Sequence, residues 1–169
     1  MSEQDEKMEA LRKDLLSATI NRGLVYTAIL EEMRKELGEE RASEIFKRAI
    51  RGHGVKMAKL LDPPRAMAEF EQWLLAMLPD GGAMHQPEVL RCDEEGLDLK
   101  LRRCPLKEGW RMLNMSQEEV ADMCRHADSF DRGLFGSVFD YSMDLWSEQP
   151  DDSCILHFRP KRDRAEAEE

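Results

Sequence analysis

The sequence predicts an α+β fold: a helical N-terminal half packed with a four-stranded antiparallel sheet, the sheet made of two β-hairpins that bracket a helical pair. Three observations carry the expectation. Apolar residues recur near a 3.6 period as far as Leu78. The period changes to two around Leu97, Leu99 and Leu101 and again before Phe158. Between those stretches lies a helix-start signal. Two hairpins with helices between them close as one sheet with helices on one face.

Taken in order, Glu6 to Ile20 carries Met8, Leu11, Leu15, Leu16 and Ile20 at helical spacing, and Leu24 to Leu37 carries Val25, Ile29 and Met33. Gly38 reads as a helix stop. Glu39 to Leu61 has Ala42, Ile45, Phe46, Ala49 and Ile50 on one stripe. Gly52 and Gly54 flank His53 there, at about 1 kcal/mol each in a helix interior, so a kink or close backbone packing is expected. Pro63 and Pro64 break the chain, and Ala66 to Leu78 forms a fourth helix ended by Pro79-Asp80-Gly81-Gly82. Val89 to Cys92, a turn at Asp93 to Gly96 and the alternating run from Leu97 to Arg102 form the first hairpin. Cys104-Pro105 ends it, because proline cannot donate to a ladder.

Glu108 to Leu113 is a short helix. Ser116-Gln117-Glu118-Glu119 is a capping box, opening a helix to about Phe130 with Val120, Met123, Cys124 and Ala127 on one face. Tyr141 to Trp146 alternates, Gln149 to Asp152 turns, and Cys154 to Phe158 alternates again. One domain is expected over residues 1–160, with the helical part at about 6–79 and the sheet-containing part at about 86–160. Residues 161–169 read as a charged tail.

The 169 residues include 41% hydrophobic and 36% charged side chains, and the net charge of −10 repels phosphate backbones and anionic membranes. Neither nucleic acid nor a membrane is an expected partner; a small-molecule substrate or ligand is. Assembly into a homo-oligomer stays open. No apolar run approaches the roughly 20 residues of a membrane span, and the acidic start lacks a signal segment. The expected location is cytoplasmic, with the four cysteines as thiols. Phosphate-loop, dinucleotide, zincin and hydrolase-elbow motifs are absent.

The chemistry left to consider centres on cysteines. Cys104 ends a strand, and Arg102 and Arg103 before it would favour the thiolate; the other reading is a small apolar plug of the sheet end. Cys124 lies on an apolar stripe, where a thiol packs as a small hydrophobe. Cys154 is in phase with Leu156 and Phe158 on the core face of the last strand. His126 is either a general base or acid or a surface histidine. Asp128 and Asp131 lie near Gly133 and Gly136, where a chain can approach a ligand, or are solvated helix residues. His53, between its glycines, is open to a ligand or simply exposed. Three cysteines with His126 or an acid would suit zinc, but structural zinc sites draw ligands in close pairs. No metal or cofactor is assigned.

Taken together, Gly38-Glu39-Glu40, Arg51-Gly52-His53-Gly54 with Ala58, Cys104-Pro105-Leu106, Cys124 with an acid soon after, and Asp151-Asp152-x-Cys154-x-x-x-Phe158 resemble the L-2-amino-thiazoline-4-carboxylic acid hydrolase family from about Leu24 to Phe158. That family is similar in turn to 4-vinyl-reductase-type ligand-binding domains, whose last strand ends alike. The resemblance implies a small molecule held between sheet and helices, and opening of a cyclic amidine C–N bond to a carbamoyl-cysteine-type product. It further implies a nucleophile at Cys104 or Cys124, an acid–base partner at His126 or Asp128, and a substrate carboxylate on Arg102 or Arg103, with His53, Asp131 and Cys154 lining the ligand. The alternatives are a non-catalytic, sensor-like binding module with inert cysteines and a protein-interaction or metal-holding domain. Reactive thiols lining a pocket would mark the first reading; bound metal would mark the metal-holding form of the last.

Overall fold

A computed structural model describes residues 2–161. Three helices fill the N-terminal half: α1 (Glu3–Leu37), α2 (Glu39–Leu61) and α3 (Met67–Met77). After a tight turn at Pro79–Gly82 come β1 (Pro87–Asp93), β2 (Gly96–Leu101), α4 (Pro105–Met112), α5 (Gln117–Ala127), α6 (Ser129–Phe135), β3 (Phe139–Asp144) and β4 (Cys154–Pro160), with a short 3-10 turn at Trp146–Glu148. All four strands are antiparallel in the order β1-β2-β4-β3. The two hairpins therefore meet through the β2–β4 pairing, with Leu101 opposite Cys154 and Leu97 opposite Phe158.

The first two expected helices are one. Glu3–Leu37 runs unbroken through Asn21-Arg22-Gly23, and Gly23 is buried where Leu106 of α4 comes up against it. Tertiary packing here outweighs the propensity cost of one glycine. Gly38 does stop the helix, at φ +75. α2 passes through Gly52 and Gly54 without a break, and the reason is close packing. A Cβ on Gly54 would overlap the carbonyl oxygen of Phe130 and lie 2.9 Å from the Leu134 nitrogen, so α2 and α6 cross backbone to backbone. Gly133 makes the reciprocal contact with Arg51 and Val55.

The helix expected to run to Phe130 divides at Asp128 into α5 and α6. Its capping box at Ser116 and Glu119 is formed in both directions. The stretch Pro105–Met112 starts three residues before the expected Glu108, with Pro105 at its first turn, where a missing N–H costs nothing. The tail expected at 161–169 lies, except for Lys161, outside the described residues.

Two apolar clusters result. Leu97, Leu99, Leu156 and Phe158 on one sheet face pack against Phe70 and Leu74 of α3 and Leu134 and Phe135 of α6. The other face carries charge: Asp98 accepts from His157 Nδ1 at 2.6 Å, Arg159 at 2.6 Å and Arg91 at 3.0 Å. The second cluster joins Leu30, Phe46, Trp110, Val120, Met123 and Trp146 between the long helices and the α4–α5 pair. Met143 touches both clusters.

Candidate functional site

The β2–β4 register sets the first two site residues. Cys154 opens β4 opposite the last residue of β2, and three residues beyond that residue the chain reaches Cys104. Cys104 is the N-cap residue of α4 and is partly buried. Cys124, on the inner stripe of α5, is 8% exposed. Cys104 is close enough to raise the pKa of both other thiols, and Cys154 that of Cys124.

Burial is the leading cause for each. It pushes the Cys104 thiol above its ordinary value, while the N–H groups of Lys107 and Leu106 at the start of α4, and the Lys107 ammonium, pull it back. That contact falls short of a full side-chain cap. Burial, then the neighbouring Cys104, lifts Cys154 to about 11 and Cys124 higher still. Cys92 stands apart, its thiol 3.9 Å from the Met67 carbonyl and raised to about 11 by burial and Glu71.

On one side of the thiols lies a cationic clamp. Lys107, only 4% exposed, donates to the Asp152 carbonyl at 2.5 Å and lies 3.1 Å from its carboxylate. Arg111 meets the same carboxylate with both fork nitrogens at 2.8 and 2.7 Å. Both cations stand over the Trp146 ring, at 5.1 and 4.7 Å from its centre. The Trp146 indole nitrogen is buried without a hydrogen-bond partner and bears on the Cys124 thiol.

The junction of α5 and α6 holds an acid pair. Asp128, 5% exposed, accepts from Tyr141 at 2.9 Å and from Arg132 at 2.5 Å. The Asp131 side chain makes no hydrogen bond among the described residues. Burial first, and the Asp128 charge second, raise its pKa to about 7. Its charge is felt at Cys104. The Tyr141 hydroxyl is raised well above its usual range by burial and both acids.

Several sequence expectations change. His126 is not a surface residue: it is 1% exposed, with Nε2 2.9 Å from the Ser43 hydroxyl and Nδ1 2.8 Å from the Asp122 carbonyl. Both nitrogens are spent on α2 and on its own helix, and burial lowers its pKa. Asp128 and Asp131 are not solvated helix residues but the acid pair just described. The cation bearing on Cys104 is Lys107, in place of Arg102 or Arg103. Arg102 pairs with Glu88 and, at 3.4 Å, with Asp151. Arg103 holds Glu108 through two nitrogens at 2.6 and 2.8 Å. His53 is exposed with its ring 5.4 Å from that of Phe130. Among the described residues no three His, Cys, Asp or Glu side chains converge tightly enough to hold a metal ion, so the zinc arrangement has no ligand set. Lys107, Arg111 and Trp146 were not singled out from the sequence; the spacing of three and seven residues after Cys104 was the available signal.

Residues 18–158 match the family model described as L-2-amino-thiazoline-4-carboxylic acid hydrolase. The chain belongs to this family. No curated protein matches it closely enough to name a relative. The matched span holds all three clustered cysteines, the cationic clamp and the acid pair. It also holds most of a cleft of about 290 Å³ lined by Arg51, Arg132, Gly136, Phe139, Tyr141 and Lys161 together with Asp140. A smaller cleft of about 170 Å³ lies between α1 and the Pro79–Gly82 turn, with Arg103 on its wall. Neither cleft is lined by a cysteine. Among the described residues no helix is long and apolar enough to cross a membrane.

Proposed function

We propose that this chain is a hydrolase that opens a small cyclic amidine of the L-2-amino-thiazoline-4-carboxylate kind at a C–N bond, with Cys104 as nucleophile and Asp131 as proton carrier. The observation that carries the reading is the placement of Cys104 at the start of α4. Helix N–H groups and the Lys107 ammonium favour its thiolate, and an acid of pKa about 7 lies within range of its charge. Cys124 and Cys154, raised by burial and by the neighbouring Cys104, suit packing.

The sequence of bonds is as follows. Cys104 Sγ bonds to the ring carbon between nitrogen and sulfur, and Asp131 protonates the ring nitrogen. The carbon–nitrogen bond breaks as the exocyclic amino group passes a proton to the departing nitrogen and becomes an imine. Water adds across that imine. Collapse to the carbonyl returns a proton to Asp131 and releases the Cys104 thiolate. One water is consumed, and the product is a carbamoyl-cysteine type. Asp131 suits this role better than His126 or Asp128, because theirs are the side chains already committed to hydrogen bonds.

The test combines brief alkylation at neutral pH, mapped by site, with a turnover assay. Cys104 is expected to react before Cys124 and Cys154, a 2-aminothiazoline carboxylate to protect it, and Cys104→Ala to abolish ring opening. Full turnover by Cys104→Ala would remove the nucleophile. The raised thiol pKa values favour a second reading, a binding module of the 4-vinyl-reductase type with inert cysteines. Labelling of all four cysteines only after unfolding would put that reading first.

A further inference from the structure

Cys104, Lys107 and Arg111 follow one another at spacings of three and four residues, so they share one face of α4. At 1.5 Å per residue, Lys107 stands about 4.5 Å along the axis from Cys104. That is a little less than one helical turn, the scale of a small substituted five-membered ring. The two cations share a single carboxylate, that of Asp152. Asp152 sits on the turn before β4 with its side chain half exposed and its backbone left-handed, at φ +59. A buried lysine and a forked arginine converging on one carboxylate make a planar, charged receptor for that group. Trp146, 5% exposed, forms the floor beneath both cations. The arginines nearer to Cys104 in sequence are bound to Glu88 and Glu108.

We propose that Lys107 and Arg111, over Trp146, form the subsite for the carboxylate of a small cyclic ligand, and that Asp152 is a resident stand-in which that carboxylate displaces. This rests on the ring-opening reading for the identity of the ligand, not for the existence of the subsite. In a 2-amino-thiazoline-4-carboxylate the carbon bearing the carboxylate is two bonds from the reacting carbon. A carboxylate on Lys107 and Arg111 then sets the reacting carbon toward Cys104, at the start of the helix. Release of the Asp152 carboxylate costs the protein two ion pairs, which the ligand carboxylate replaces, and returns the turn to solvent, so occupancy of the subsite and movement of residues 149–153 are coupled.

The experiment measures binding of 2-amino-2-thiazoline-4-carboxylate, and of the same ring without its carboxylate, to the full chain and to Arg111→Gln and Asp152→Asn. Arg111→Gln is expected to weaken the carboxylate ligand about tenfold or more and to leave the decarboxylated ring unchanged. Asp152→Asn is expected to tighten the carboxylate ligand about threefold or more, because the competing carboxylate is gone. A merely structural clamp would weaken binding in both variants and for both ligands. Unchanged binding in Arg111→Gln, or weaker binding in Asp152→Asn, overturns the subsite. Circular dichroism of each variant checks that it has folded, and Arg111→Lys, which keeps the charge but loses the fork, gives an intermediate loss if the reasoning holds. Binding with the expected pattern but no turnover in the unaltered chain leaves the subsite standing and removes the hydrolase. Turnover with an unchanged KM in Arg111→Gln does the reverse.

Discussion

Adding one methyl group at Gly54 is expected to separate the two helices that join the N-terminal half to the sheet-containing half. The ideal Cβ would overlap the carbonyl oxygen of Phe130 and sit 2.9 Å from the nitrogen of Leu134 and 3.1 Å from the Cα of Gly133. All three obstacles are backbone atoms inside α6, so no side chain can swing away. Relief requires the α2–α6 crossing to open, and α6 carries Leu134 and Phe135 into the main cluster with Phe70 and Phe158. Overpacking a core costs about 1–3 kcal/mol where side chains can adjust; here the upper end or beyond, about 3 kcal/mol or more, is expected. Gly52, one half-turn away on the same helix, supplies the control. Nothing lies within 4 Å of a Cβ placed there, so Gly52→Ala should gain about 0.5–1 kcal/mol of helix propensity. Urea unfolding of the unaltered chain and both variants measures the difference. If residues 1–160 form one cooperative domain, as we propose, far-UV and tryptophan signals coincide in a single transition. A Gly54→Ala variant within about 0.5 kcal/mol of the unaltered chain, or a Gly52→Ala variant equally damaged, would refute the crossing.

Asp131 and His126 should make stability depend on pH in opposite senses. Folding raises the Asp131 pKa from 3.8 to about 7, so its cost is absent below about pH 4, grows between pH 4 and 7 and then holds. Asp131→Asn should therefore stabilise the protein by about 2–4 kcal/mol at pH 8 and by little at pH 4, read from denaturation midpoints. Burial lowers the His126 pKa below 6.5, so its contribution is complete above about pH 6.5 and is lost on acidification. His126→Ala leaves the Ser43 hydroxyl and the edge of Phe46 without a partner and should cost about 2–4 kcal/mol at pH 8, with the gap narrowing toward pH 5 in thermal melts.

The fold was legible where one local rule governs one element. The alternation of Leu97, Leu99 and Leu101 marks β2 because its two faces meet different surroundings: α3 and α6 on one, the Asp98 charge network on the other. The Ser116 capping box marks the start of α5 because the cap is made within four residues. Where two segments decide together, the sequence misleads. Gly23 looks like a helix boundary only if α4 is not known to pack on it. Gly54 and Gly133 are 79 positions apart, and neither alone announces a crossing.

The candidate site divides along the same line. Cys104, Cys124 and Cys154 can be picked out as cysteines on strand ends and apolar stripes, but their convergence depends on the β2–β4 register, which a strand's own sequence does not state. Charge is less legible still. Arg102 and Arg103 are nearest to Cys104 in the chain, yet an extended segment alternates its side chains, and Glu88 and Glu108 take them. Lys107 and Arg111 are farther along the chain but lie on the same helical face as Cys104, so they, not the arginines, bear on the thiol and on whatever anion approaches it. Asp152, from the turn just before Cys154, offsets half of their charge. A ligand carboxylate that takes the clamp must therefore move the strand entrance that holds the third thiol. In the proposed subsite, binding and the setting of Cys154 form one equilibrium, and the rate of Cys154 alkylation should change when the ligand carboxylate occupies the clamp.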